Sequence, residues 1–347
     1  MILQNNFNMI KSKRKNEKWS VAENILLPSR KNLSNPVLTV KNLTKAFGKR
    51  LVINNASFDV YEGEIFGLLG PTDSGKSAIL RAITGSIIPS NGEISILGYN
   101  YKQDFAKAAS YMSGFITLPN LYGYLTGLEN IKLFTSLRDK FDTTTIENAA
   151  RLVDIEPILK TKLAKYTLVE KKKLCIAMSL ISNPKLIVLD DPFTGLNASE
   201  LKDIQDLIKN LANKHHIAFL LSSQMLGQLE AVCNTIGIVN NGTILETRSM
   251  DSLRQISQKE QKLAYTVDYP NFAGKIVLNE FNFPTQVCGN KILIHCSENN
   301  KAKITQRLEN YKISIFKVEV ISKSLEQLLE EVLYKKAFNK SFVEEYK

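Results

Sequence analysis

Cysteine and histidine are scarce. The 347 residues carry four cysteines (Cys175, Cys233, Cys288 and Cys296) and three histidines (His215, His216 and His295), and no two cysteines form a Cys-x-x-Cys pair. This usage argues against a zinc site or a disulfide framework and fits a reducing compartment. Long apolar runs are also missing, since none reaches the roughly 18 residues that a membrane span needs. Near the start, a basic cluster follows an interrupted apolar stretch, the reverse of the order in a secretion signal. These absences predict a soluble cytoplasmic chain, still able to dock on a membrane protein.

What is present is ordinary for a globular protein: 44% hydrophobic and 23% charged residues, enough to bury a sizeable core. The net charge of +11 is uneven. The first 36 residues hold Lys11, Lys13, Arg14, Lys15, Lys18, Arg30 and Lys31 against only Glu17 and Glu23. Such an excess suits an anionic membrane face or nucleic acid, or simply a solvated tail. The Asn/Lys/Ser-rich, aperiodic texture of residues 1–35 favours the disordered tail, and no specific nucleic acid is expected.

Strand patterns begin at Val37–Val40 and continue at Ala56–Val60, Glu64–Leu69 and Glu93–Gly98. From about Thr126 to Ser182 the pattern is mostly helical. Lys185–Asp190 and Ile217–Leu221 return as buried strands. Between them an amphipathic helix is expected over Ala198–Lys214, with Asn197 as its N-cap. Asn241-Gly242 between two apolar runs signals a hairpin. Apolar strands alternating with helices predict a mostly parallel sheet with helices on both faces. Past about Gln258 short strands mix with a helix near Lys301–Tyr311, the texture of a second, small α+β unit.

The densest chemistry lies in Gly70-Pro71-Thr72-Asp73-Ser74-Gly75-Lys76-Ser77, a full match to G-x4-G-K-[ST] between a strand and a helix that opens at Ala78. Glycine lets backbone N–H groups approach phosphate oxygens closely. In such a loop Lys76 neutralises the β/γ-phosphates, Ser77 ligates Mg²⁺, and the helix points its positive end at the phosphates. Asp190, closing the buried strand Leu186–Leu189, is the expected acidic partner that holds Mg²⁺ through water.

Together these residues resemble the nucleotide-binding subunit of an ATP-binding cassette (ABC) transporter over roughly residues 37–250. Leu43–Gly48, Gly63–Gly70, Asn91–Ile94, Leu125–Asn130, Asp190–Asn197 and Leu220–Gln224 carry the likeness, in the family's order. The resemblance implies an α/β, P-loop NTPase fold: a tail over 1–35, an ABC-type ATPase domain over 36–257 with a helical subdomain near 118–182, and a small C-terminal α+β domain over 258–347. Ser324–Leu329 is similar to the tail region of bacterial drug- and bacteriocin-export subunits. The resemblance further implies ATP and Mg²⁺ as ligands, ATP held by Gly70–Ala78 with adenine stacking on Phe47, which precedes Gly48. It implies a homo- or hetero-dimer of ATP-binding subunits and a polytopic membrane permease as partners, at the inner face of the cell membrane.

The chain departs from the family pattern where hydrolysis is performed. Asp191 stands where the family has its catalytic glutamate, one methylene shorter. Gln224 replaces the switch histidine. No glutamine occurs between Gln103 and Gln205, and Thr117 falls at the family's glutamine position. The signature, usually Ser-Gly-Gly plus a polar residue, reads Thr167-Leu168-Val169-Glu170. Asn197 replaces an aspartate, and Asp73 stands where the phosphate loop has glycine. Asp73 tolerates left-handed dihedrals but sets a carboxylate near phosphates.

Three readings follow. The first is a working exporter ATPase. The second is a module that binds nucleotide but hydrolyses it slowly or not at all, acting as a scaffold, regulator or immunity component beside a permease. The third is an unrelated phosphate-loop kinase or GTPase, disfavoured because Asn213-Lys214-His215-His216 lacks the aspartate of a guanine-reading motif. Retained Lys76, Ser77 and Asp190 beside altered turnover residues favour impaired hydrolysis.

Overall fold

The computed structural model describes residues 35–117, 119–135, 142–259, 262–321 and 327; the expected tail and most of Ser324–Leu329 lie outside them. Three sheets organise the described chain. The first is antiparallel, with strand order β2-β1-β4-β5, built from β1 (Leu38–Phe47), β2 (Arg50–Val60), β4 (Asn91–Ile96) and β5 (Tyr99–Asn100). The second runs β10-β9-β3-β8-β7-β6, from β3 (Ile65–Leu69), β6 (Met112–Phe115), β7 (Leu186–Leu189), β8 (Ala218–Ser223), β9 (Thr235–Asn240) and β10 (Thr243–Ser249). All its neighbours pair in parallel except β9 and β10.

Residues of β3, β7 and β8 are buried throughout, as expected of strands covered on both faces. Their side chains alternate between two cores. Phe66, Leu68, Leu186, Val188, Ala218 and Leu220 pack on one side, while Ile65, Leu69, Ile187, Leu189, Phe219 and Leu221 pack on the other.

The first side meets α1 (Lys76–Ile83), through Ile79, Leu80 and Ile83, and the antiparallel sheet, through Leu38, Val40, Leu43, Ile53 and Phe58. Helices thus cover both faces of the parallel sheet, as expected, and on this side the antiparallel sheet forms an additional layer. Strand β1 presents Leu38 and Val40 inward and Lys41 outward, so it makes a second sheet layer. The opposite side meets α3 (Gly127–Thr135), α4 (Thr143–Leu152), α5 (Leu168–Leu180) and α6 (Ala198–His215).

Local signals explain the boundaries. Asn197 accepts from the N–H groups of Ser199 and Glu200 at 3.0 Å each, and Glu200 returns a bond to Asn197 N–H, so α6 starts with a capping box. Asn241 (φ 46°) and Gly242 (φ 73°) turn β9 into β10 with the two positive dihedrals of a type I′ hairpin. Among the described residues from 126 to 182 are three helices and two short 3₁₀ turns. Helix α2 (Tyr101–Ser110) lies between β5 and β6, where the sequence reading assigned no element.

The third sheet, β12-β13-β11-β14, is antiparallel and formed by β11 (Lys262–Val267), β12 (Thr285–Cys288), β13 (Lys291–His295) and β14 (Ile315–Ile321). The helices Pro270–Phe281 and Lys301–Asn310 pack on it. Leu263, Tyr265, Val277, Ile292, Ile304 and Leu308 form its own core.

Candidate nucleotide site

The parallel strands end at one edge of the second sheet, the place where open α/β sheets bind ligands. Strand β3 runs into Gly70, β7 into Asp190, β8 into Gln224 and β6 into Thr117. A cavity of about 590 Å³ opens at this edge, lined by Thr72–Ala78, Thr117, Asp190, Asp191, Gln224 and others.

The loop geometry demands glycine at two positions. A Cβ on Gly70 would sit 2.2 Å from the Val239 carbonyl oxygen. One on Gly75, at φ +102°, would sit 2.8 Å from Val52 O. Asp73 takes φ 60°, the left-handed conformation that aspartate tolerates at the family's glycine position. Gly75 also precedes the first turn of α1 without a side-chain cap, so that turn's N–H groups have no side-chain acceptor.

Lys76 is 8% exposed. Its ammonium donates to Gly70 O and Pro71 O at 2.8 Å each and to Ser74 Oγ at 3.3 Å. Burial lowers its pKa, against the opposing pull of Asp190, Asp191 and Asp73. The loop therefore stores a desolvated cation on its own carbonyls, a fit for phosphate oxygens.

The two aspartates are joined by a residue that the sequence reading overlooked. Ser222 Oγ accepts the Asp191 N–H at 2.9 Å and donates to the Asp190 carboxylate. Asp191 itself sits at φ 48°. The available signal was the strand period: Ser222 falls on the same face of β8 as Ala218 and Leu220, next to the end of β7. Gln224 is tied to the phosphate loop, its Oε1 accepting from Thr72 Oγ1 at 2.9 Å. Arg50 and Lys172 also line the cavity and were likewise overlooked, because each arrives from a distant segment.

Phe47 stands at the β1–β2 hairpin, paired with Arg50, which lines the cavity. It is 52% exposed at the end of β1, with Lys45 Nζ 4.9 Å from its ring centroid, and is not among the residues lining the cavity. The signature residues also lie away from it, at the start of α5. Thr167 is the N-cap: its Oγ1 accepts the Glu170 N–H at 3.3 Å, and Glu170 Oε2 accepts the Thr167 N–H at 2.7 Å. This capping box leaves a carboxylate at the N-terminal end of α5. Glu170→Ala is expected to lower stability by about 1 kcal/mol through loss of half the box, measured as a shift in urea midpoint.

The comparisons agree with this geometry. A family model described as ABC transporter matches residues 53–194. The uncharacterized ABC transporter ATP-binding protein YcbN of Bacillus subtilis (strain 168) is 31% identical over 218 residues, 63% of this chain and 71% of that protein. The bacitracin transport ATP-binding protein BcrA of Enterococcus faecalis is 27% identical over 246 residues, 71% of this chain and 79% of that protein. A solved structure described as the ATP binding subunit of an ABC transporter superposes with a TM-score of 0.55 at 25% identity, covering 63% of this chain and 92% of that one. Loop, strand-end aspartates and sequence likeness converge: this chain belongs to the ABC transporter family, as an ATP-binding subunit.

Proposed function

We propose that the Gly70–Ser77 loop holds ATP with Mg²⁺, and that the chain hydrolyses it slowly or not at all. The observation that carries this reading is one cavity shared by Lys76, Ser77, Asp190, Asp191 and Gln224. Lys76 and the uncapped first turn of α1 suit the phosphates, and Ser77 and Asp190 are the residues to hold Mg²⁺. The metal would supply charge neutralisation at the terminal phosphates. An attacking water needs a base to receive its proton, and a neutral amide at Gln224 does not serve. That leaves Asp191, with a side chain one methylene shorter than glutamate, on a backbone fixed in the left-handed region with its N–H bonded to Ser222 Oγ.

The relative named for bacitracin transport supports a place in an exporter. The chain would pair with a second ATP-binding subunit and a polytopic permease at the cytoplasmic face of the membrane. Among the described residues no helix is long and apolar enough to cross a membrane. Residues 36–257 would form the ATP-binding unit, with its helical part near 118–182, and 258–347 the appended α+β unit. A second reading, a non-hydrolysing scaffold, regulator or immunity module beside a permease, is favoured by the Glu170 carboxylate on the α5 end.

Nucleotide titration beside steady-state phosphate release, on the chain alone and with its partner, tests this. Submillimolar binding with release below roughly 0.1 per second is expected, against about 10 per second for ordinary enzymes. Faster release would sink the impaired-hydrolysis reading. Asp191→Glu combined with Gln224→His is expected to raise release about tenfold or more, since a positioned general base contributes roughly 10²–10⁴-fold. Glutamate tolerates the left-handed backbone less well than aspartate, at a cost of roughly 1 kcal/mol.

A further inference from the structure

Two buried ammonium groups line the cavity, and they are bonded differently. All three donors of Lys76 can be accounted for by Gly70 O, Pro71 O and Ser74 Oγ. Lys172, 5% exposed on α5, donates to one acceptor, Pro192 O at 2.7 Å, immediately after Asp191. Burial lowers its pKa and the Asp191 carboxylate opposes that shift. An ammonium so desolvated, with donor capacity remaining, favours an anion in the space it borders.

Its place in the fold adds a second point. Among the described residues lining the cavity, Lys172 is the one contributed by α3, α4 or α5. The position where the resemblance expects a long glutamine is Thr117, whose side chain ends one bond beyond Cβ. An occupant of the cavity that reaches this helical segment would do so through Lys172. Lys172 also lies five residues past Thr167, on the helix that Thr167 caps.

We propose that Lys172 is a specificity residue that distinguishes a triphosphate from a diphosphate and reports the difference to α5. With the terminal phosphate present, its ammonium bonds a phosphate oxygen in addition to, or in exchange for, Pro192 O. With a diphosphate it stays on Pro192 O. The inference rests on the nucleotide reading of this cavity.

The test is titration of the full chain, unsubstituted and as Lys172→Ala, Lys172→Met and Lys172→Arg, with ATP and with ADP. Hydrogen exchange over residues 119–182 at saturating nucleotide accompanies it. Lys172→Ala should weaken ATP binding about tenfold, the scale of one charge-assisted hydrogen bond, and leave ADP within about twofold. Unsubstituted chain should gain protection on α5 with ATP and not with ADP, and Lys172→Ala should lose that difference. Lys172→Arg should keep it. Lys172→Met preserves the buried stem and reads the same outcome if the alanine variant folds poorly. Equal losses for ATP and ADP, or an unchanged α5 response, overturn the proposal while leaving nucleotide binding intact. Failure of the unsubstituted chain to bind either nucleotide overturns the nucleotide reading, and this inference with it.

Discussion

Lys76→Ala should weaken nucleotide binding by about 100-fold or more, while the chain stays folded. The ammonium is buried, and in the cavity it has only carbonyls and a hydroxyl as partners. Phosphate oxygens are stronger acceptors for a cation, and hydrogen bonds to charged groups contribute roughly 1.5–3 kcal/mol each. Two such contacts suffice for the expected loss, at about 1.4 kcal/mol per factor of ten. Stability is set by a different balance. Removing Lys76 leaves Gly70 O and Pro71 O short of a donor, but it also removes a desolvated charge whose burial is unfavourable, as its lowered pKa records. These terms oppose, so the unfolding midpoint should move far less than the affinity. Calorimetric titration beside a urea melt checks both. A loss under about fivefold would show that the loop is not where nucleotide binds.

Gly114→Ala is expected to be the most damaging single methyl, costing about 3 kcal/mol or more. Gly114 lies on β6 opposite Val188 of β7, at φ +138°. A Cβ there would sit 2.0 Å from Val188 O and 2.7 Å from Val188 N, and neither backbone atom can swing aside. Strand β6 must part from β7, opening the ladder that leads to Asp190 on one side and Thr117 on the other. Gly98→Ala separates clash from conformational strain. Gly98 has φ +81° with nothing within 4 Å, so its alanine should cost only roughly 1–2 kcal/mol. If the two variants melt alike in urea, the Val188 contact is not what makes Gly114 necessary.

Features written into neighbouring residues were legible in the sequence. The Gly70–Ser77 spacing, the apolar run ending at Asp190, the Asn197 cap and the Asn241-Gly242 turn each depend on a few consecutive positions, and the structure forms the loop, strand, helix and hairpin they imply. Features made by distant segments were not. Ser222 joins Asp190 and Asp191 only once β8 lies beside β7. Lys172 reads as one of three consecutive lysines until α5 turns it inward. Phe47, expected by likeness to stack on adenine, stands exposed at the β1–β2 hairpin, and its place relative to the cavity follows only from the pairing of β1 with β2. The second sheet layer was also hidden, because the short runs of β1 and β2 do not reveal which surface they cover.

The Thr167–Glu170 capping box has a consequence for cell economy. In the subunit pairing proposed above, each subunit would lend a helix end to the other's nucleotide. A chain whose helix end already carries its own carboxylate would then withhold that contribution from a partner it joins. Made alongside a fully competent sister, it would form mixed pairs in which the sister's nucleotide waits on a contact that arrives poorly. Transport would then follow the ratio of the two chains instead of their total, and raising expression of this one would throttle its sister.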